Sequence, residues 1–205
     1  MIFDAMKRAG ILLALLFCAS TFRGISQDIN NGKVSISTQL FLKELKVKRA
    51  FVYDGNREKM YDSSNISEAT TDDVEEDHGT HTASTAGGSS VIIDGNDVIV
   101  TDDHSSATYG GMAPGADLYL ASIKDLSSTS IANAFYNIRN YADTVGMPLV
   151  LSNSWGDQVG PHDGSGEFAE IISQYFGKDH PNRICLFAAG NEAGSDFSAV
   201  RPYQP

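Results

Sequence analysis

Cysteine is almost missing from the 205 residues, with Cys18 and Cys185 as the pair. Both lie in apolar runs, and if the first run is removed on export a single thiol remains and no internal disulfide forms. Cations are scarce as well: 15 Lys and Arg stand against 26 Asp and Glu, a formal net charge of −11. That deficit excludes nonspecific nucleic-acid binding, which needs Lys and Arg to displace phosphate counterions. Tyr109, Tyr119, Tyr136 and Tyr141 are too scattered to stack single-stranded bases. There is no internal repeat, and six Pro with nineteen Gly suit a turn-rich globular chain rather than a fibre. What is present is an apolar share of 41% against 20% charged, enough to fill the core of one ordinary domain and to exclude disorder.

The N-terminus carries its own pattern. Lys7 and Arg8 precede Ile11-Leu12-Leu13-Ala14-Leu15-Leu16-Phe17-Cys18-Ala19, a run too short to span a bilayer but of the length of an export leader's apolar stretch. Gly24 and Ser26 offer a cleavage site before Gln27, and Cys18 and Ser20 an earlier one. Phe17 is too bulky to precede a lipidated cysteine. Residues 1–26 therefore predict a signal peptide and a secreted or periplasmic protein with no membrane attachment after cleavage. The competing reading is a buried N-terminal helix.

Past the leader, Gln39 to Leu45 predicts a short amphipathic helix capped by Ser37 or Thr38. Arg49 to Tyr53 predicts a strand ended by the turn residues Asp54-Gly55-Asn56, and residues 56–77 predict a polar surface loop. From residue 97 the pattern alternates. Strands are expected at Asp97–Thr101, Asp117–Ile123, Pro148–Asn153 and Arg183–Ala189, and helices at Thr129–Val145 and Glu167–Phe176. Ser128 or Thr129 can cap the first helix and Gly146 can end it. Strands alternating with helices imply right-handed crossovers and an α/β fold, a parallel sheet covered on both faces. Sites in such sheets open at the carboxyl ends of the strands.

Four segments offer chemistry there. His78 in Asp77-His78-Gly79-Thr80-His81 opens a Gly- and Ala-containing helix, and small residues let a histidine ring stand at the helix mouth. His78 and His81 share a helix face as a zinc pair would, but there is no His-Glu-x-x-His pattern and no second thiol, so no metal site is expected. Gly110-Gly111-Met112-Ala113-Pro114-Gly115 precedes a strand, whereas a phosphate-binding loop follows one, so it reads as a turn. Ser152-Asn153-Ser154-Trp155-Gly156 and Ala188-Ala189-Gly190-Asn191-Glu192 each end a strand with small or polar groups.

Taken together and in this order, the four segments resemble those of the subtilases, the subtilisin-like serine proteases, over about residues 48–200. The resemblance implies a three-layer α/β fold with a parallel sheet, here incomplete, and a polypeptide substrate cleaved through a Ser-His-Asp triad. It implies His78 as the catalytic base and Asn191 as the oxyanion donor. It implies Ser154, Trp155 and Gly156 as the segment that pairs with substrate backbone beside the specificity pocket.

The departures are as specific. The family's Gly-Thr-Ser motif is absent from the sequence, and Ser195 and Ser198 do not sit in that pattern. Its aspartate motif, an apolar strand ending in Asp-Thr-Gly or Asp-Ser-Gly, is also missing, with Asp54 the nearest substitute. Lys48 to Gly55 resembles a segment that follows the aspartate in some bacterial secreted subtilases, and Val34 to Leu40 resembles the start of their pro-region. Residues 27–47 are thus expected to be a pro-region remnant or linker, and 48–205 a partial peptidase domain. Without a nucleophile the acyl-enzyme route is closed, and the chain as written is expected to be inactive. The alternative is a noncatalytic module that binds peptide along the Ser154-Trp155-Gly156 edge, and a third reading has another chain supply the missing piece. No cofactor is expected. Asp94-Gly95-Asn96-Asp97 and the acidic run 72–77 suggest calcium but lack a full ligand spacing. Nothing in the sequence sets the oligomeric state.

Overall fold

The computed structural model describes residues 12–18, 47–53, 58–62, 64–66, 78–94, 97–101, 103, 105–123, 126–156, 160–161 and 163–191. The expected helix at 39–45, residues 27–46 of the expected remnant or linker 27–47, Asp54, Ser195 and Ser198 lie outside them, while Val47, the last residue of that linker, opens a strand.

Six strands form the main sheet: β1 (Leu12–Cys18), β2 (Val47–Tyr53), β3 (Glu58–Asp62), β6 (Asp117–Ile123), β7 (Leu149–Asn153) and β8 (Arg183–Phe187). Their order is β3-β2-β6-β1-β7-β8. All neighbours are parallel except β3, which returns antiparallel on β2 with Phe51 opposite Met60. Sequence reading placed residues 58–62 in a polar loop. Of these residues only Tyr61 is buried, so no alternation announced the strand; the free edge of β2 made it one, by offering backbone partners.

β6 shows why both faces are covered. Every residue from Leu118 to Ile123 is buried. Leu118 and Leu120 pack with Val47, Ala50, Val52 and Ala83 on one side. Tyr119, Ala121 and Ile123 pack with Ile131, Phe135 and Ile138 on the other. Helix α1 (His78–Gly87) supplies Ala83 to the first face. Helices α2 (Ser128–Val145) and α3 (Glu167–Tyr175) cover the second. This is the expected three-layer arrangement.

α2 buries Ile131, Ala134, Phe135, Ile138 and Ala142, the 3–4 spacing of an amphipathic helix. Each fully buried large apolar side chain contributes about 1.5–3 kcal/mol. The N-cap lies one residue earlier than expected: Ser127 accepts from the amide of Ser130 at 3.2 Å, with its own hydroxyl 2.8 Å from that of Ser130. Gly146 ends the helix at φ 67°, where its amide reaches the carbonyls of Ala142 and Asp143. α3 stops one residue short of the expected Phe176, which is extended and buried.

The strand expected near 97–101 exists but stands outside the alternation. β5 (Asp97–Val100) pairs antiparallel with β4 (Val91–Asp94) as a separate hairpin. Among the described residues the α1 face of β8 has no helix over it, and Ile184 and Leu186 are 56% and 53% exposed there.

Candidate functional site

α1 begins at His78 and is built from His, Gly, Thr, Ala and Ser, with Gly79 and Ala83 buried. Two of its threonines bond back to the helix: Thr82 Oγ1 donates to the Gly79 carbonyl at 3.1 Å and Thr85 Oγ1 to that of His81 at 2.9 Å. The far end of α1 is strapped to the chain entering β6. Met112, Ala113 and Gly111 donate their amides to the carbonyls of Thr85, Ala86 and Gly88 at 2.9, 2.8 and 2.9 Å. A Cβ on Gly111 would stand 2.3 Å from the Gly88 nitrogen. The glycine turn is therefore a backbone-to-backbone contact, not a ligand loop.

This strap fixes the direction of α1. Its last turn sits at the amino end of β6, and the helix packs along β6 and β1. Ten residues at 1.5 Å each then carry its first residue toward the carboxyl end of the parallel strands. β7 and β8 deliver Ser154-Trp155-Gly156 and Ala188-Ala189-Gly190-Asn191 to that same end.

These last two segments are held side by side by three bonds. Asn153, 2% exposed, donates Nδ2 to the Leu186 carbonyl at 2.9 Å and to Cys185 Sγ at 3.3 Å. The amide of Ala188 donates to the Asn153 carbonyl at 3.0 Å. Gly190 then turns the chain at φ 89°, a conformation that glycine adopts without strain, and Asn191 follows it on the surface. Sequence reading passed over Asn153; its signal was a polar amide at the end of an otherwise apolar strand. The Cys185 thiol is pushed up to about 11 by burial, against a smaller opposite pull from the Asn153 amide.

Trp155 stands edge-on to Phe168 and to Phe187, with ring centroids 5.8 and 5.4 Å apart. Beside it opens a cleft of about 420 Å³ lined by Trp155, Gly156, Pro161, Phe168, Ile172 and Phe187. The lining is largely apolar, as a pocket for a side chain would be. Trp155 Nε1 and Asn153 Oδ1 are buried without a partner among the described residues. Asp163 closes the loop opposite by accepting from the amide and hydroxyl of Ser165 at 2.9 and 2.7 Å, which holds its carboxyl below the usual range.

The structure resembles the Clostridium perfringens CspB protease at TM-score 0.57 and 21% identity, over 92% of this chain and 38% of that one. It also overlaps the S41 psychrophilic protease at TM-score 0.49 and 18% identity, over 92% of this chain and 52% of that one. The first likeness shows the fold as subtilisin-like. The chain thus spans well under two thirds of the length of these proteins. None of the curated proteins matches it. The sequence profile of the subtilases matches residues 24–204. On that match, the chain belongs to the subtilase family.

Proposed function

We propose that this chain is the base-bearing and substrate-binding part of a subtilase-type serine endopeptidase site, and that without a nucleophile it binds extended polypeptide but does not cleave it. The observation that supports the reading is the clamp between β7 and β8: Asn153 bonds Leu186 and Ala188 just before the chain reaches Trp155 and Gly156, which line the cleft together with Ala188. An extended peptide laid along residues 154–156 would add a strand there and drop one side chain into the cleft. His78 is assigned the role of base and Asn191 that of oxyanion donor. Residues 1–205 hold no Gly-Thr-Ser motif to supply the attacking hydroxyl, so this stretch by itself is proposed to bind polypeptide without forming an acyl-enzyme. Residues 1–26 are assigned the role of a leader that carries the chain out of the cytoplasm, and a chain that keeps them attached after export would meet extracytoplasmic polypeptide.

Trp155 is the single tryptophan of the chain, so its emission reports the cleft directly. Titration with extended peptides carrying a large apolar residue is expected to shift that emission saturably, and Gly156→Val to abolish the shift. Casein is expected to stay intact, and a fluorophosphonate probe to label no serine. Serine labelling would overturn the noncatalytic part; an emission unmoved by any peptide would overturn the binding part.

A further inference from the structure

β1 is the strand that touches both halves of this site. β6 and β7 do not pair with each other. β6 pairs with β1 from Leu12 opposite Asp117 to Cys18 opposite Ile123, and β7 pairs with it from Leu12 opposite Leu149 to Leu16 opposite Asn153. At about 4.8 Å between neighbouring strands, β1 holds β6 and β7 about 10 Å apart. α1, which opens with His78, packs on β1 and β6. The segments bearing Trp155 and Asn191 leave β7 and β8. Taking β1 away divides the sheet into β3-β2-β6 with the histidine helix and β7-β8 with the binding loops. Among the described residues the two parts stay tied through α2, whose core residues reach Tyr119 and Leu149 on one face, and through Val150 of β7, which packs on the cluster of Leu118, Leu120 and Ala83 on the other.

We infer that Leu12–Cys18, the stretch that reads as the core of an export leader, is the strand that assembles the site in any chain that keeps it. Leader removal and sheet completion are then mutually exclusive within one polypeptide. The sequence allows both fates for one physical reason. A seven-residue run of Leu, Ala, Phe and Cys is apolar throughout, which suits a leader and equally a parallel strand buried on both faces. Periodicity does not separate the two. The backbone does: the facing edges of β6 and β7 find their hydrogen-bond partners in β1, and a cut before Gln27 takes those partners away. The uncut chain is accordingly the folded one, and processing at residue 27 opens the sheet between the histidine and the binding cleft.

Amide hydrogen exchange on the purified full chain tests this independently of peptide binding or activity. Peptides covering residues 13–17 are expected to exchange within about tenfold of those covering 118–122 and 150–152, as one cooperative unit. Exchange of 13–17 more than tenfold faster, or uniformly fast exchange in all three, overturns the inference. In the same chain Leu15→Pro, which removes a ladder amide, is expected to strip protection from β6 and β7 together, while Leu15→Ile keeps it. Protection of β6 and β7 that survives Leu15→Pro overturns the bridging role.

Discussion

Asn153 and Leu186 are joined across the ends of two parallel strands by a side-chain amide donating to a backbone carbonyl at 2.9 Å. The bond sits one residue before Ser154 and two before Ala188, so it governs how far apart the two binding segments leave the sheet. Because Asn153 is 2% exposed, water cannot replace the bond when it is cut. Asn153→Ala is expected to cost about 1–3 kcal/mol and to red-shift Trp155 emission as the cleft loosens. Asn153→Asp should be worse, since a carboxylate cannot donate to Leu186 and would be buried charged. Thermal melts followed by circular dichroism and fluorescence check both, and an unchanged melt in Asn153→Ala would refute the clamp.

The Cys185 thiol should be inert near neutrality. Its folded value, raised by burial to about 11 from 9.0, keeps the thiolate fraction at pH 8 roughly a hundredfold below that of a free cysteine. Iodoacetamide labelling resolved by peptide mass should therefore find Cys185 unmodified until the chain unfolds. The same shift makes stability depend on pH. The folded thiol holds its proton after the unfolded one has lost it, so stability is whole below pH 9 and falls as pH rises toward 11. Tyr119, raised further by burial, continues the loss at higher pH. Cys185→Ala should flatten the decline between pH 9 and 11.

Two glycines should respond to alanine very differently. Gly111→Ala forces a Cβ to 2.3 Å from backbone at Gly88, which neither segment can yield without breaking the strap on α1. A loss of several kcal/mol, about 3 or more, is expected. Gly146→Ala meets nothing within 4 Å and is strained only by its φ of +67°, a cost of about 1 kcal/mol. Denaturant midpoints of the two variants should differ by the corresponding amount, and equal midpoints would contradict the close approach.

The α1 face of β8 should bind hydrophobic dye. Ile184 and Leu186 stand on it about half exposed, next to one another on an edge strand. Leu186→Lys is expected to lower the fluorescence of bound anilinonaphthalene sulfonate by about half while leaving the melt within about 0.5 kcal/mol of the parent. Dye fluorescence indifferent to this substitution would place the exposed apolar surface elsewhere.

The sequence by itself determined the elements whose side chains repeat at a structural period. α2 was legible from Ile131, Phe135, Ile138 and Ala142 and from Gly146 at its end, and β6 to β8 from short apolar runs closed by polar residues. It also determined the family, because four short segments in a fixed order carry more information than any one of them. Tertiary structure decided what depends on a distant backbone. β3 exists because β2 had an open edge, and Ser127 rather than Ser128 caps α2 because its hydroxyl meets the Ser130 amide. Tertiary structure likewise placed Leu12–Cys18 in the centre of the sheet. An apolar run states only that it leaves water; whether it does so in a membrane channel or between β6 and β7 is set by which unpaired strand edges are there to receive it.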